Sequence, residues 1–281
     1  MLARRHWLLL LGIGIASLVA GAARMTFAGT KVVVGRPIPE RDRVAIDKVP
    51  HDQWDELLGK YVDDKGLVDY AAWKRTPADG TKLDEYLATL SRARLNRDAS
   101  RKARRAFWIN AYNAVTVKGI LREYPTTSIR NHTARLFGYN IWQDLLLIVD
   151  GQRFSLDDIE HQILRKMDEP RIHFAIVCAA LGCPQLRAEA YTSAKLDKQL
   201  NDNAKKFLAR SANFRYDADT NTIAVSSIFD WFGEDFGSTT AEQLQAIADF
   251  LPNRAAQRAA RDGNVRLQYL DYDWQLNDQR R

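Results

Sequence analysis

The sequence predicts an α+β fold, a helix-rich single domain around a small, mostly antiparallel sheet. Three observations lead there. Apolar residues recur at helical spacing in separate stretches from Trp54 to Leu251. The strand-like runs are short and gather after residue 171. The 281 residues, 46% of them apolar, suffice for one sizeable core and show no internal repeat.

Residues 1–28 open with MLARRH, continue as WLLLLGIGIASLVAGAA and end in RMTFA, the basic, apolar, small-residue order of an export signal. Ala20-Gly21-Ala22 and Thr26-Phe27-Ala28 are its candidate cleavage sites. The alternative is a retained anchor facing the periplasm, because Trp7 to Ala23 is 17 residues, at the short end of the roughly 17 to 25 that span a bilayer. Cleavage into the periplasm is the expectation; membrane contact is expected only through this segment if it is retained. Residues 29–50, GTKVVVGRPIPERDRVAIDKVP, combine prolines with mixed charge and no sustained period, and read as a linker to a domain over 51–277.

The formal charge of +6 includes Arg4, Arg5 and Arg24 of the export segment, whose removal leaves 38 basic against 35 acidic residues, or +3. So even a balance gives no support for a nucleic-acid partner. The basic run RARLNRDASRKARR at 92–105 reads as a solvated helix face. No cofactor is expected either: GIGIASLVAG lies in the export segment and is no phosphate-binding loop.

Within the domain, Trp54, Leu57, Leu58 and Tyr61 predict a first helix that DDKG interrupts, and Leu83, Tyr86, Leu87 and Leu90 predict a second. RRAFWINAYNAVTVKGILREYP predicts a third, ended by Pro125, with Ile109, Val117, Ile120, Leu121 and Tyr124 on one face. Asn110 and Asn113 fall inside that face. Buried amide groups left unpaired cost about 1 to 3 kcal/mol apiece, so both asparagines must anchor a neighbouring backbone or border a site. SLDDIEHQILRKM follows, with Ser155 and Asp158 at capping-box spacing and Glu160 among the apolar positions. There it is either half of a buried ion pair or an acid tuned for chemistry beside His161.

RIHFAIVCAALGCPQL carries both cysteines of the chain. HFAIVC reads as a buried strand with Cys178 at its exit. On a straight strand His173 and Cys178 point to opposite faces, with Cα atoms roughly 16 Å apart. That geometry disfavours a zinc site of His161, His173, Cys178 and Cys183, and it disfavours His173 as a base for a Cys178 thiolate. His161, His51 and His132 are the other candidate bases. A Cys178–Cys183 disulfide across the turn meets no such obstacle, and export favours it. Further on, Leu196, Leu200, Ala204 and Phe207 predict a helix and NFRYDADTNTIAVSSIF a hairpin. Thr239 and Glu242 predict a capped helix, and NVRLQYLDYDW a closing strand.

FWINAYNA, SLDDIEHQILR, RIHFAIVCAALGCPQLR, SSIFDWFGEDF and YLDYDWQLN together resemble the domain of unknown function 547 family. The resemblance covers His51 to Asn277 and implies an exported bacterial setting, with plant members as well. It implies no established activity. The family pattern matches at Asn110, Asn113, Glu160, His161, His173, Cys178, Cys183 and Pro184, which implies one shared polar site.

Two functions remain open at this level. In the first, the protein is a thiol-dependent hydrolase or acyl transferase: Cys178 attacks a carbonyl, His161 activates it, and Glu160 or an asparagine orients the base. In the second, it is a non-catalytic binding or interaction domain with a structural or redox-active Cys178–Cys183 disulfide. The expected partner is an unidentified small molecule or peptide.

Overall fold

The computed structural model describes residues 31–95, 99–133 and 139–280, so the export signal expected at 1–28 lies outside the described residues. The first part of the chain runs β1 (Val32–Val34), β2 (Val44–Ala45), α1 (Asp52–Tyr61), α2 (Tyr70–Lys74), α3 (Pro77–Leu90), β3 (Ala93–Arg94) and α4 (Arg101–Glu123). Then come α5 (Ile141–Asp144), β4 (Leu145–Val149), β5 (Gln152–Phe154), a π-helical segment Asp158–Leu164 and a 3₁₀ turn Pro170–Phe174. The rest is α6 (Leu196–Leu208), β6 (Phe214–Asp217), β7 (Thr222–Ser226), α7 (Ile228–Phe232), α8 (Thr240–Ile247), α9 (Arg254–Asp262) and β8 (Arg266–Leu270). The α+β, helix-rich expectation holds.

The helices form where apolar spacing and caps agree. Trp54, Leu57, Leu58 and Tyr61 of α1 and Leu83, Tyr86, Leu87 and Leu90 of α3 are buried against one another's cluster. Ser100 caps α4 by accepting from the Ala103 amide, and Tyr124 leaves the helix in extended conformation ahead of Pro125. α4 is buried on nearly every side, from Ala103 to Leu121, and so forms the axis of the main core. A second core gathers Phe174 and α6 with the sheet β6–β7–β8 and the helices α8 and α9. Thr239 and Glu242 make the reciprocal capping box expected of α8.

Three expectations are corrected. The sheet is not one, nor mostly antiparallel: β1–β4–β5, β2–β3 and β6–β7–β8 are separate. β1 pairs parallel with β4, β2 with β3 and β7 with β8. Residues 31–50 are not a free linker, because β1 and β2 pair with strands of the domain and Ile46 and Val49 enter the main core. HFAIVC is not a strand. Pro170 starts a 3₁₀ turn through Phe174, Ile176 N–H still donates back to Ile172 O, and Ala175 O and Val177 N–H are met by the Asn113 side-chain amide instead of a neighbouring strand.

The residues after β8 return across the domain and hold the cysteine loop. Leu181 N–H donates to Gln275 O and Gly182 N–H to Asp273 O, while Asn277 N–H donates to Ala179 O. A Cβ at Gly182 would lie 2.9 Å from the Asp273 nitrogen, so this approach requires glycine.

Candidate functional site

α4 fixes the floor. The Asn113 amide donates to Ala175 O and its carbonyl accepts from Val177 N–H, both at 3.0 Å, and Asn110 makes the same pair of bonds with Tyr191. Both asparagines are therefore backbone anchors, each donating one bond from its amide nitrogen and accepting one at its oxygen. Tyr112 lies between them, and its hydroxyl donates to Glu160 Oε2 at 2.9 Å. Burial pushes the Tyr112 phenol well up, with the Glu160 charge adding to it, so the hydroxyl keeps its proton and remains a donor.

Glu160 and His161 stand on the π-helical segment, whose entry is fixed by the reciprocal Ser155–Asp158 bonds. Glu160 is half-buried and accepts from the Tyr112 hydroxyl, in place of the ion pair that was one of its two expected roles. One turn further, Arg165 Nη1 reaches His161 Nδ1 at 3.3 Å. A guanidinium can only donate, so Nδ1 is the acceptor and the neutral ring carries its hydrogen on Nε2.

Arg165 also donates to Asp235, from Nε at 2.6 Å and Nη2 at 2.9 Å, and to Glu234 at 2.6 Å. Asp235 in turn receives His173 Nε2 at 2.7 Å. Burial alone would raise the Asp235 carboxyl, but the His173 and Arg165 bonds outweigh it and hold the group well below the usual carboxylate range. His173 is only 3% exposed, and its ring stacks on Phe232 at 4.5 Å.

Cys178 and Cys183 are joined in a disulfide, with Cα atoms 6.2 Å apart. Ala179, directly after Cys178, takes a left-handed φ of +57°, a conformation that costs of order 1 kcal/mol for a residue with a side chain. The Tyr272 hydroxyl touches both sulfurs, at 3.0 Å from Cys178 and 3.1 Å from Cys183. Burial raises the Tyr272 phenol, so it too stays protonated. The bridge closes a short loop, and Cys183→Ser is expected to lower stability by about 2 kcal/mol on the chain-entropy account. The urea midpoint measures this; an unchanged midpoint would mean that the return segment holds the loop unaided.

These pieces meet in a cleft of about 260 Å³. Glu160, His161, His173, Cys178 and Cys183, taken from the sequence as site candidates, all line it. Asn110 and Asn113 do not; they support it from behind. His173 and Cys178 share the cleft because the segment between them is a turn and not a straight strand. Even so, the Cys178 sulfur meets the Tyr272 hydroxyl, and among the described residues no imidazole hydrogen-bonds it. His51 and His132 lie elsewhere. His51 is paired with the Tyr86 hydroxyl at 2.7 Å and burial lowers it to about 4, while His132 bonds Thr126. The zinc arrangement is not assembled: both sulfurs are in the bridge, and among the described residues no three His, Cys, Asp or Glu side chains are grouped to hold a metal. A cavity of about 380 Å³ behind the same disulfide is larger, but its lining contains no histidine.

Several site residues escaped the sequence reading. Arg165 and Asp235 form a half-buried ion pair, and Trp142, Trp231, Tyr272 and Trp274 build the aromatic wall. Trp231 and Asp235 sit in SSIFDWFGEDF, where two aromatic residues beside acids were a usable signal.

Residues 96–208 match the profile of a family described as protein of unknown function, DUF547. The DUF547 match covers α4, the π-helical segment, the cysteine loop and α6. It narrows the resemblance over His51 to Asn277, because SSIFDWFGEDF and YLDYDWQLN lie beyond it. The DUF547 segment thus supplies the polar and sulfur groups, and the residues after it supply most of the aromatic wall and Asp235. No curated protein and no solved structure matches the chain.

Proposed function

We propose that this protein is an exported ligand-binding domain whose cleft takes a small molecule or the end of a peptide, with the Cys178–Cys183 disulfide as part of its floor. The carrying observation is convergence: two carboxylates, two imidazoles and the disulfide, drawn from separate segments, face one aromatic-walled cleft of about 260 Å³. A few convergent polar groups in an apolar concavity are the usual composition of a ligand site. A disulfide is compatible with an oxidising compartment. Among the described residues no helix is long and apolar enough to cross a membrane.

Trp142, Trp231 and Trp274 make the reading testable, since three of the chain's seven tryptophans line the cleft. Small-molecule titrations are expected to change the intrinsic fluorescence saturably in the wild type and not in Trp231→Ala. Intact-mass measurement after alkylation is expected to find both thiols blocked until a reductant is added. Two free thiols in exported protein would remove the disulfide from the reading, and the absence of any saturable ligand would remove the rest.

A thiol-dependent hydrolase or acyl transferase is the second reading. It is favoured by one observation, that Cys178 is half-buried, not fully enclosed, in a cleft that two imidazoles also line. It requires the reduced protein. Iodoacetamide should then label Cys178 near about pH 6, well below the range of an ordinary thiol; labelling that begins only near about pH 8 rejects it.

A further inference from the structure

We propose that the ligand of this cleft carries an organic cation, a quaternary or alkylated ammonium group, held against the aromatic wall and neutralised by Asp157 and Glu160; this rests on the binding reading above. Trp231, Tyr272 and Trp274 pack on one another, with ring centroids 4.9, 5.7 and 4.6 Å apart, and so present a preorganised π surface. Trp231 keeps 43% of its surface exposed although it packs on both of the other rings. Rings of this kind attract cations through the quadrupole of their faces, and cages of them select alkylated ammonium groups. The outer rings already do so within the protein: Arg130 lies 5.2 Å over Trp274 and Arg165 lies 5.4 Å over Phe232.

The charges facing the cleft have the matching sign. Asp157 and Glu160 line it, and neither lysine nor arginine does. Among the described residues the Asp157 carboxylate makes no hydrogen bond or ion pair, and Glu160 uses Oε2 for the Tyr112 hydroxyl, which leaves Oε1 available. The nearby Arg165 charge is met by Asp235 and Glu234. An anionic ligand would face two carboxylates with no cation of the lining to answer it. A neutral ligand would desolvate both carboxylates with only the Tyr112 hydroxyl bond to Glu160 as compensation.

Three probes of one shape decide the matter by fluorescence titration of the whole domain at about pH 8: choline, its carbon isostere 3,3-dimethylbutan-1-ol, and the anion 3,3-dimethylbutanoate. Choline is expected to bind at least about tenfold more tightly than the alcohol, and the anion least. Asp157→Asn and Glu160→Gln should each weaken choline severalfold while leaving the alcohol unchanged, which a folding defect would not do. If the alcohol or the anion binds as well as choline, the cationic ligand is overturned and the binding cleft stands. If none of the three binds saturably at millimolar concentration, this proposal is overturned; broader screening then decides the binding reading.

Discussion

Asn113→Ala is expected to lower the unfolding free energy by about 3 to 5 kcal/mol, the largest effect of any single cleft-supporting substitution considered. Asn113 is 1% exposed and satisfies two backbone groups that have no strand to pair with, Ala175 O and Val177 N–H. Each orphaned group costs about 1 to 3 kcal/mol, and the vacated volume adds to that. The same residue sets the path of the chain from His173 to Cys178, so the variant should also lose ligand-induced fluorescence change. Asn113→Leu separates the causes, because it restores volume but not the amide and should recover less than half of the loss. Urea unfolding measures both. A loss under about 1 kcal/mol for the alanine variant would mean that water or a shifted backbone replaces the anchor.

Asp235→Ala is expected to cost about 2 to 3 kcal/mol at neutral pH, toward the low end for a broken buried pair because 20% of the Asp235 side chain is exposed. The substitution strands Arg165 and leaves the buried His173 without its acceptor. Its pH dependence identifies the cause. The fold favours the ionised carboxylate, so the contribution is complete above the unfolded aspartate value of about 3.9 and is lost as the pH falls below it. The stability difference between wild type and variant should therefore shrink on acidification from about pH 5 downward. A difference that stays constant into strong acid would show that packing on Phe232, and not charge, accounts for it.

Legibility in the sequence followed the locality of each interaction. The α1, α3 and α6 faces and the Thr239–Glu242 cap depend on residues three or four apart, and the spacing displays them directly. The folded state of residues 31–50 depends on strands contributed by Ala93 and Leu145, which no local period reveals. HFAIVC has strand composition, but the side chains of Asn113 and Asn203 bond Phe174 O, Ala175 O and Val177 N–H, and Ala175 and Ile176 donate back to Ile172 O. The cleft was half legible for the same reason. Glu160, His161, His173 and the cysteines stand out as polar or reactive residues in apolar runs, whereas Asp235 in GEDF reads as a solvated turn until the chain brings His173 and Arg165 against it.

The parallel pairing of β1 with β4 has a kinetic side. Val32 must wait for Leu145 before its ladder can form, while α1 and α3 meet as soon as both are made. Distant parallel contacts close large loops and come late in folding. Until then the backbone groups of Val32–Val34 have no ladder partner and stay on water, so the first strand of the chain is among the last to be locked in place.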